Sequence, residues 1–468
     1  MDRSADLTSC EWLPLSACVD RPAGQVGRKA GSLARAANAG MRTPGGHVLP
    51  AEFLWAVLER CGAAGKVRYL ARSALSLDPA HVLAIAAQVA EAMEDGVVDA
   101  DALKHAEALF VHRPALPLVC RSSAAMEDGV DSAFPGLFTS ILNIASPAEL
   151  ARAIARCWRS AFGADLVRYI LRVRPTRLDF SLALLVQPLV AAPRYGICFS
   201  EDPMGRVPGS IIQLSDATPE ALVHGAPASQ SFMYHKGRWA GDTALPPPLR
   251  HLPDILSKLS SQVGSPVDLE FALDDPTAPP ILFQVRPISR RASGKYSICM
   301  PPTRSTLPGT GCAPGRAAGM AGADILLLRE VAIEDYARIM SASAIAAVAD
   351  TSPLGHVAIL CRELGIPLVT GLGETLLSFT GAPLVVDGDL GVVGLLTVEE
   401  RRDPVARPAE SGAPDALSVG IDELNLRCLT TAVRGRSDPM VLRDVMADLS
   451  RIGGTKNIRV DYGSRTPE

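Results

Sequence analysis

Histidine is scarce in this chain, with eight among 468 residues. One of them, His356, stands between a Ser-Pro-Leu-Gly turn and the run VAILCREL. Pro353 and Gly355 are turn formers, and the run keeps apolar residues at helical spacing until Gly365. That pattern predicts a helix with His356 in its first turn, its ring over backbone N–H groups, followed by a short buried strand at IPLVTG. A neutral imidazole is a nucleophile at pH 7, and a helix start favours anions, so a phosphoryl group can be carried there. A histidine that caps a helix or fills a gap is the other reading, and the stretch alone leaves both open.

Three further groups carry chemistry of the same kind. Lys29 follows a glycine turn and opens a helix, where an ammonium can sit over helix-start N–H groups and hold a nucleotide phosphate. The spacing of a Walker loop is absent, and a plain surface lysine is the alternative. VCRSSAAMEDGVDSAFPGLF places Arg121, Ser122 and Ser123 at the end of a buried strand, as forked and hydroxyl donors for a triphosphate. Glu127, Asp128 and Asp131 behind them fit a solvated loop. In DLEFAL, strand alternation turns Glu270 away from Leu269 and Phe271. In FQVRP, Gln284 and Arg286 share a face. A carboxylate beside a carboxamide and an arginine suits Mg²⁺ and bound phosphates.

The elements that must position these groups are legible in outline. Helices are expected at PAHVLAIAAQVAEAMEDG and, with a Ser-Pro start, at SPAELARAIARCWRSAFG. FSLALLVQPLV and YGICFSEDP read as strands paired through a Pro-containing turn, and SPVDLEFALD with PPILFQVRPIS repeats that design. APLVVDGDLGVVGLL reads as a hairpin with an Asp-Gly turn. Residues 289–308 open a stretch rich in Gly, Pro, Ser and Arg, read as a hinge linker. With 21% charged and 48% hydrophobic residues the chain is folded, and its length accommodates two to four domains. A net charge of −4 offers no nucleic-acid footprint. No apolar run approaches the roughly 20 residues that span a bilayer. The N-terminus lacks signal-peptide features, and ten scattered cysteines without a Cys-x-x-Cys pair suit reduced thiols in a cytoplasmic protein.

Taken in order, these stretches resemble the phosphoenolpyruvate synthase and pyruvate phosphate dikinase family, which includes rifampin phosphotransferase. GRKAGSLARAANAGMRTPGGHVL is similar to the family's opening, CRSSAAMEDGVDSAFPGLFTSILNI to its RSSA loop, and LLVQPLV, GICFSEDP, DLEFAL and LFQVRPI follow in family order. GTGCAPGRAAG and LGHVAILCRELGIPLVTG resemble its phosphohistidine domain, and the likeness covers residues 20–398. The resemblance implies an α/β (α+β) fold. An ATP-grasp domain over 1–288 would be followed by a hinge over 289–308, a swivelling phosphohistidine α/β domain over 309–398, and a linker with a short helical tail over 399–468. It implies ATP and Mg²⁺, with Lys29, Arg121, Ser122, Ser123, Glu220 and Arg286 on the nucleotide. Gln187 would line the adenine pocket, Glu270 and Gln284 would hold the metal, and His356 would carry the phosphoryl group from the β-phosphate, with AMP released.

Gly355 stands where the family has Ser or Thr, and the glycines before Glu220 in the family's GLGE are absent. About 70 residues follow position 398, too few for a (β/α)₈ acceptor barrel. The expected partner is a small-molecule phosphoryl acceptor of unread identity, with a homodimer or a separate acceptor protein as the macromolecular options. A condensing ligase of the prodigiosin type and a non-catalytic relative are the competing readings.

Overall fold

A computed structural model describes residues 12–396, apart from 95, 113, 129–132, 174–177, 206–208, 217–228, 242–243 and 289–305. The fold is of the mixed α/β class. Its first sheet has five antiparallel strands in the order Leu13–Pro14, His47–Leu49, Leu182–Pro188, Leu118–Ala124, Ser140–Ile144. Alternation decides what each face meets. Leu118, Cys120, Leu184 and Val186 point into a helical layer that includes Pro79–Ala92, Pro147–Ser160 and Ala164–Val173. Pro147–Ser160 begins as its sequence predicts: the Ser146 hydroxyl accepts from the Glu149 N–H at 3.3 Å, and the Glu149 carboxylate reaches back to the Ala145 N–H at 2.7 Å.

The second sheet has six antiparallel strands in the order Ile281–Pro287, Val267–Leu273, Arg194–Phe199, Ser210–Ser215, Gln230–His235, Arg238–Gly241. Helix Ala23–Asn38 lies between the two sheets, its Val26, Ala30 and Leu33 sharing one core with Ala183, Leu185, Leu269, Phe271 and Val285. The expected pairing of FSLALLVQPLV with YGICFSEDP does not occur. Leu182–Pro188 is held between two strands of the first sheet, and Arg194–Phe199 lies in the second, so the turn between them crosses from sheet to sheet. Both strands find non-local neighbours that alternation alone cannot name.

Residues 306–396 carry two four-stranded sheets. One is antiparallel, in the order Thr306–Pro308, Val392–Leu395, Pro383–Asp387, Arg316–Met320. The other, Thr310–Ala313, Leu368–Thr370, Ala344–Ala347, Ile325–Leu328, is parallel except at its first pair. The hairpin at APLVVDGDLGVVGLL forms, its turn held by the Asp387 carboxylate on the N–H groups of Asp389 and Leu390. Of the expected hinge, Thr306–Pro308 is instead an edge strand, bonded to Val392–Leu395; residues 289–305 lie outside the described residues. The tail from 399 does so as well. Tyr336, Ile339, Val357 and Leu360 join the helical layer's core, so an apolar surface connects this part to the first.

Candidate active site

A cleft of about 650 Å³ opens between the two large sheets, and His356 reaches its lining from residues 306–396. Its apolar end is lined by Val119, Leu142, Pro188, Leu189, Val190 and Phe283. Its polar end gathers Lys29, Arg121, Glu127, Glu270, Gln284, Arg286 and His356, and Gln187 stands opposite Val119 of the apolar lining. An apolar slot running into a cluster of cations, carboxylates and amides has the chemistry of a site for a base with an attached polyphosphate.

Sheet register explains the polar end. Strands Val267–Leu273 and Ile281–Pro287 place Asp268 opposite Arg286 and Glu270 opposite Gln284. Arg286 Nε donates to both Asp268 oxygens, at 2.6 and 2.7 Å, and both side chains are buried. Burial pushes the Asp268 carboxyl up, to about 6, against the downward pull of Arg286; at neutral pH the two form an ion pair. Arg121 crosses from the other sheet. It donates to the Phe283 carbonyl at 2.8 Å and to Gln284 Oε1 at 3.0 Å, and stands 3.5 Å from the Glu270 carboxylate. Gln284 Nε2 donates to Asp128 at 3.1 Å. Burial, then Glu127, raises the Asp128 carboxyl to about 7, while Lys29 and Arg286 pull it down.

Lys29 is buried, with its ammonium 2.6 Å from Glu127 and 3.3 Å from the Ser122 carbonyl. It reaches there because helix Ala23–Asn38 is broken at Gly27, which has φ +74° and ψ 165°. A Cβ at that glycine would stand 1.9 Å from the Ser123 carbonyl oxygen, so only glycine permits the approach. Gln187 is buried on the same strand face as Leu185 and donates to the Gly45 carbonyl at 2.5 Å.

His356 is the first residue of helix His356–Leu364, which follows Gly355 without a side-chain cap and ends at Gly365 in the left-handed region. The ring is half-buried and lines the cleft beside the residues above. Arg362 staples the preceding turn by donating to the Pro353 and Cys312 carbonyls at 2.6 and 2.9 Å. Ser352 caps that turn through the Leu354 N–H and donates to Gln213 of the six-stranded sheet at 2.6 Å.

The structure thus brings together Lys29, Arg121, Gln187, Glu270, Gln284, Arg286 and His356. It does not bring Ser122 and Ser123 with them. Alternation turns Ser122 away from Arg121, and its hydroxyl donates to the Thr139 carbonyl at 3.1 Å. The Ser123 hydroxyl lies under the Gly27 break, donating to the Val26 carbonyl and accepting from the Ala30 N–H. Both serines serve the scaffold. Glu127 and Asp128 are buried rather than solvating a loop, while Asp131 and Glu220 lie outside the described residues. Sequence reasoning also missed Asp268, although its i, i+2 spacing to Glu270 already put both carboxylates on one strand face.

Among the described residues no cluster of three His, Cys, Asp or Glu side chains is arranged to hold a metal ion. The donor set of Glu270 and Gln284 fits Mg²⁺ in its usual mode, in which one or two protein oxygens act with substrate phosphates and water. Among the described residues no helix is long and apolar enough to cross a membrane.

Comparison with known proteins finds two domains in this chain. Residues 23–245 match the pyruvate phosphate dikinase AMP/ATP-binding domain, and residues 320–391 match the mobile domain of PEP-utilising enzymes. Together the two matches span more than half of the chain. The chain belongs to the phosphoenolpyruvate synthase and pyruvate phosphate dikinase family. A probable phosphoenolpyruvate synthase of Archaeoglobus fulgidus is 23% identical over 452 residues, covering 83% of this chain and 58% of that protein. A probable phosphoenolpyruvate synthase of Methanothermobacter thermautotrophicus is 25% identical, covering 69% of this chain and 58% of its own length. A rifampicin phosphotransferase of Streptomyces sviceus is 35% identical over 106 residues, covering 22% of this chain and 12% of that protein. This family member therefore spans somewhat more than half the length of the synthases it matches.

Proposed function

We propose that the chain is an ATP-dependent phosphotransferase in which His356 takes a phosphoryl group from the β-phosphate of ATP, with AMP as the leaving group, and passes it to a small acceptor. The observation that carries this reading is the presence of His356 in one cleft with Lys29, Arg121 and Arg286. The apolar end would take the adenine beside Gln187. Lys29, Arg121 and Arg286 would hold phosphate oxygens and offset the charge that develops on them. Glu270 and Gln284 would hold Mg²⁺, which when bound supplies further charge neutralisation at the phosphates.

The imidazole nitrogen forms a bond to the β-phosphorus while the bond to the bridging oxygen of AMP breaks. The product is a pyrophosphorylated histidine, which loses its terminal phosphate to water or phosphate and becomes phosphohistidine. The start of helix His356–Leu364 favours the added negative charge by roughly 0.3–1 kcal/mol. Transfer onward would require this part to swing away from the cleft to an acceptor site, which makes the arrangement in hand the nucleotide-facing one.

The test is turnover of Mg·ATP by the full chain and by His356→Ala and His356→Asn. Wild-type protein should release AMP, and both variants should bind ATP yet release none, because neither an alkyl group nor an amide is a nucleophile. AMP release by either variant would make His356 a scaffold residue. A condensed rather than phosphorylated acceptor would favour a ligase, and no ATP turnover at all a non-catalytic relative.

A further inference from the structure

One wall of the cleft consists of Ala133, Phe134, Pro135 and Gly136. Phe134 is buried there with φ +53°, a left-handed conformation that a bulky side chain rarely adopts. The polar groups on either side of it bond to side chains from the histidine-bearing part. The Ala133 N–H donates to Glu363 at 2.6 Å, and the Pro135 carbonyl accepts from the Tyr336 hydroxyl at 2.9 Å. Glu363 is a buried carboxylate on the His356 helix, and it also accepts from the hydroxyl of Tyr169. The Tyr169 ring lies 4.7 Å from that of Phe134. The Ala133 carbonyl in turn accepts from the Asp128 N–H at 3.5 Å, and the Asp128 carboxylate holds Gln284.

We propose that Glu363 and Tyr336 clamp the 133–136 wall in its strained conformation, so that docking of the histidine-bearing part and binding of nucleotide strengthen one another. Glu363 and Tyr336 are positioning residues: they shape the cleft through the wall and touch no reacting atom. The dependence runs both ways, because a buried carboxylate is tolerable only with its hydrogen-bond donors in place. If the two parts separate, Ala133 and Pro135 lose these partners, leaving Phe134 to the contacts of its own part with Tyr169, Phe138 and the Leu137 N–H. Any affinity that nucleotide gains from the clamped wall must return to docking as an equal preference. The linkage rests on the proposed nucleotide site, whereas the clamp itself does not.

Two measurements on the full chain separate them. Hydrogen exchange, without nucleotide, at the Ala133 amide, which bonds Glu363, and at the Leu137 amide, which bonds the Phe134 carbonyl, reads the clamp. Affinity for Mg²⁺ with a non-hydrolysable ATP analogue reads the linkage. Glu363→Ala should speed exchange at Ala133 and weaken analogue binding about tenfold, an ordinary coupling between sites. Glu363→Gln, which keeps an oxygen for the Ala133 N–H, should restore most of both. Tyr336→Phe keeps the packed ring and removes only the hydroxyl, so it should fold even where Glu363→Ala does not, and it should speed exchange at Leu137. Unchanged exchange in Glu363→Ala and Tyr336→Phe would overturn the clamp. Faster exchange with unchanged analogue affinity would overturn the linkage. Wild-type protein that binds no analogue would contradict the nucleotide site and the linkage together, with exchange still deciding the clamp.

Discussion

Arg121 joins the two sheets of the cleft, since it leaves one strand to bond Phe283 and Gln284 of another beside Glu270. Removing it takes away a cation proposed to hold phosphate and frees the Gln284 amide to turn. A charge-assisted hydrogen bond is worth roughly 1.5–3 kcal/mol, so Arg121→Ala should weaken ATP binding about 10- to 100-fold by calorimetry. Arg121→Lys should recover only part, because an ammonium cannot make the forked contacts. Gly27 is the other residue on which the site turns. Its left-handed backbone and the 1.9 Å approach to Ser123 leave no room for a methyl group. Gly27→Ala should therefore destabilise the protein by about 2 kcal/mol or more and displace Lys29. Denaturant melts, with ATP binding on the fraction that folds, check both effects. The convergence of Lys29, Glu270 and Gln284 on one cleft was approachable from residue type and strand alternation. Burial of Glu127 and Asp128 was not, since it depends on Lys29 and Gln284 arriving from distant segments.

The helices and hairpins with local signals were the elements most legible in the sequence. Ser146 with Pro147 marked one helix start, Gly365 marked the end of the His356 helix, and the turn after Asp387 formed as read. Strand partnership was hidden, because Leu182–Pro188 and Arg194–Phe199 are neighbours in the chain and belong to different sheets. Thr306–Pro308 was hidden too, since its Pro-rich surroundings read as linker while edge pairing makes it a strand. The helical layer carries a pH dependence of its own. His105 is buried edge-on between Phe53 and Trp158, and burial, with the charges of Lys104 and Arg60, lowers its pKa to about 4 from 6.5. The folded state then resists a proton that the unfolded chain accepts. Stability should be unaffected by His105 above pH 6.5 and fall as pH drops from 6.5 towards 4, by up to about 3 kcal/mol. Comparing denaturant midpoints at pH 7 and pH 5 for wild type and His105→Gln checks this: the variant should lose less on acidification.

Across the whole molecule, the arrangement of the two parts is where sequence and structure are furthest apart. A swivelling part needs no fixed relation to the cleft, and the sequence leaves His356 free to lie tens of ångströms away. In the structure it lines the cleft, held by Glu363, Tyr336, Ser352 and an apolar surface. These bonds join residues 139 to 230 positions apart, which no local pattern announces. The chain spans somewhat more than half of its synthase relatives, so the acceptor has to be found by experiment rather than by likeness. The proposed step is transfer of phosphorus from the β-position of ATP to His356. It is tested most directly by incubating the full chain with Mg²⁺ and ATP labelled separately at the β- and γ-phosphates, then locating protein-bound label. Wild-type protein should carry β-label that is acid-labile, alkali-stable, confined to the peptide containing His356 and absent from His356→Asn. Label retained from the γ-phosphate alone, or label on protein lacking His356, would contradict it.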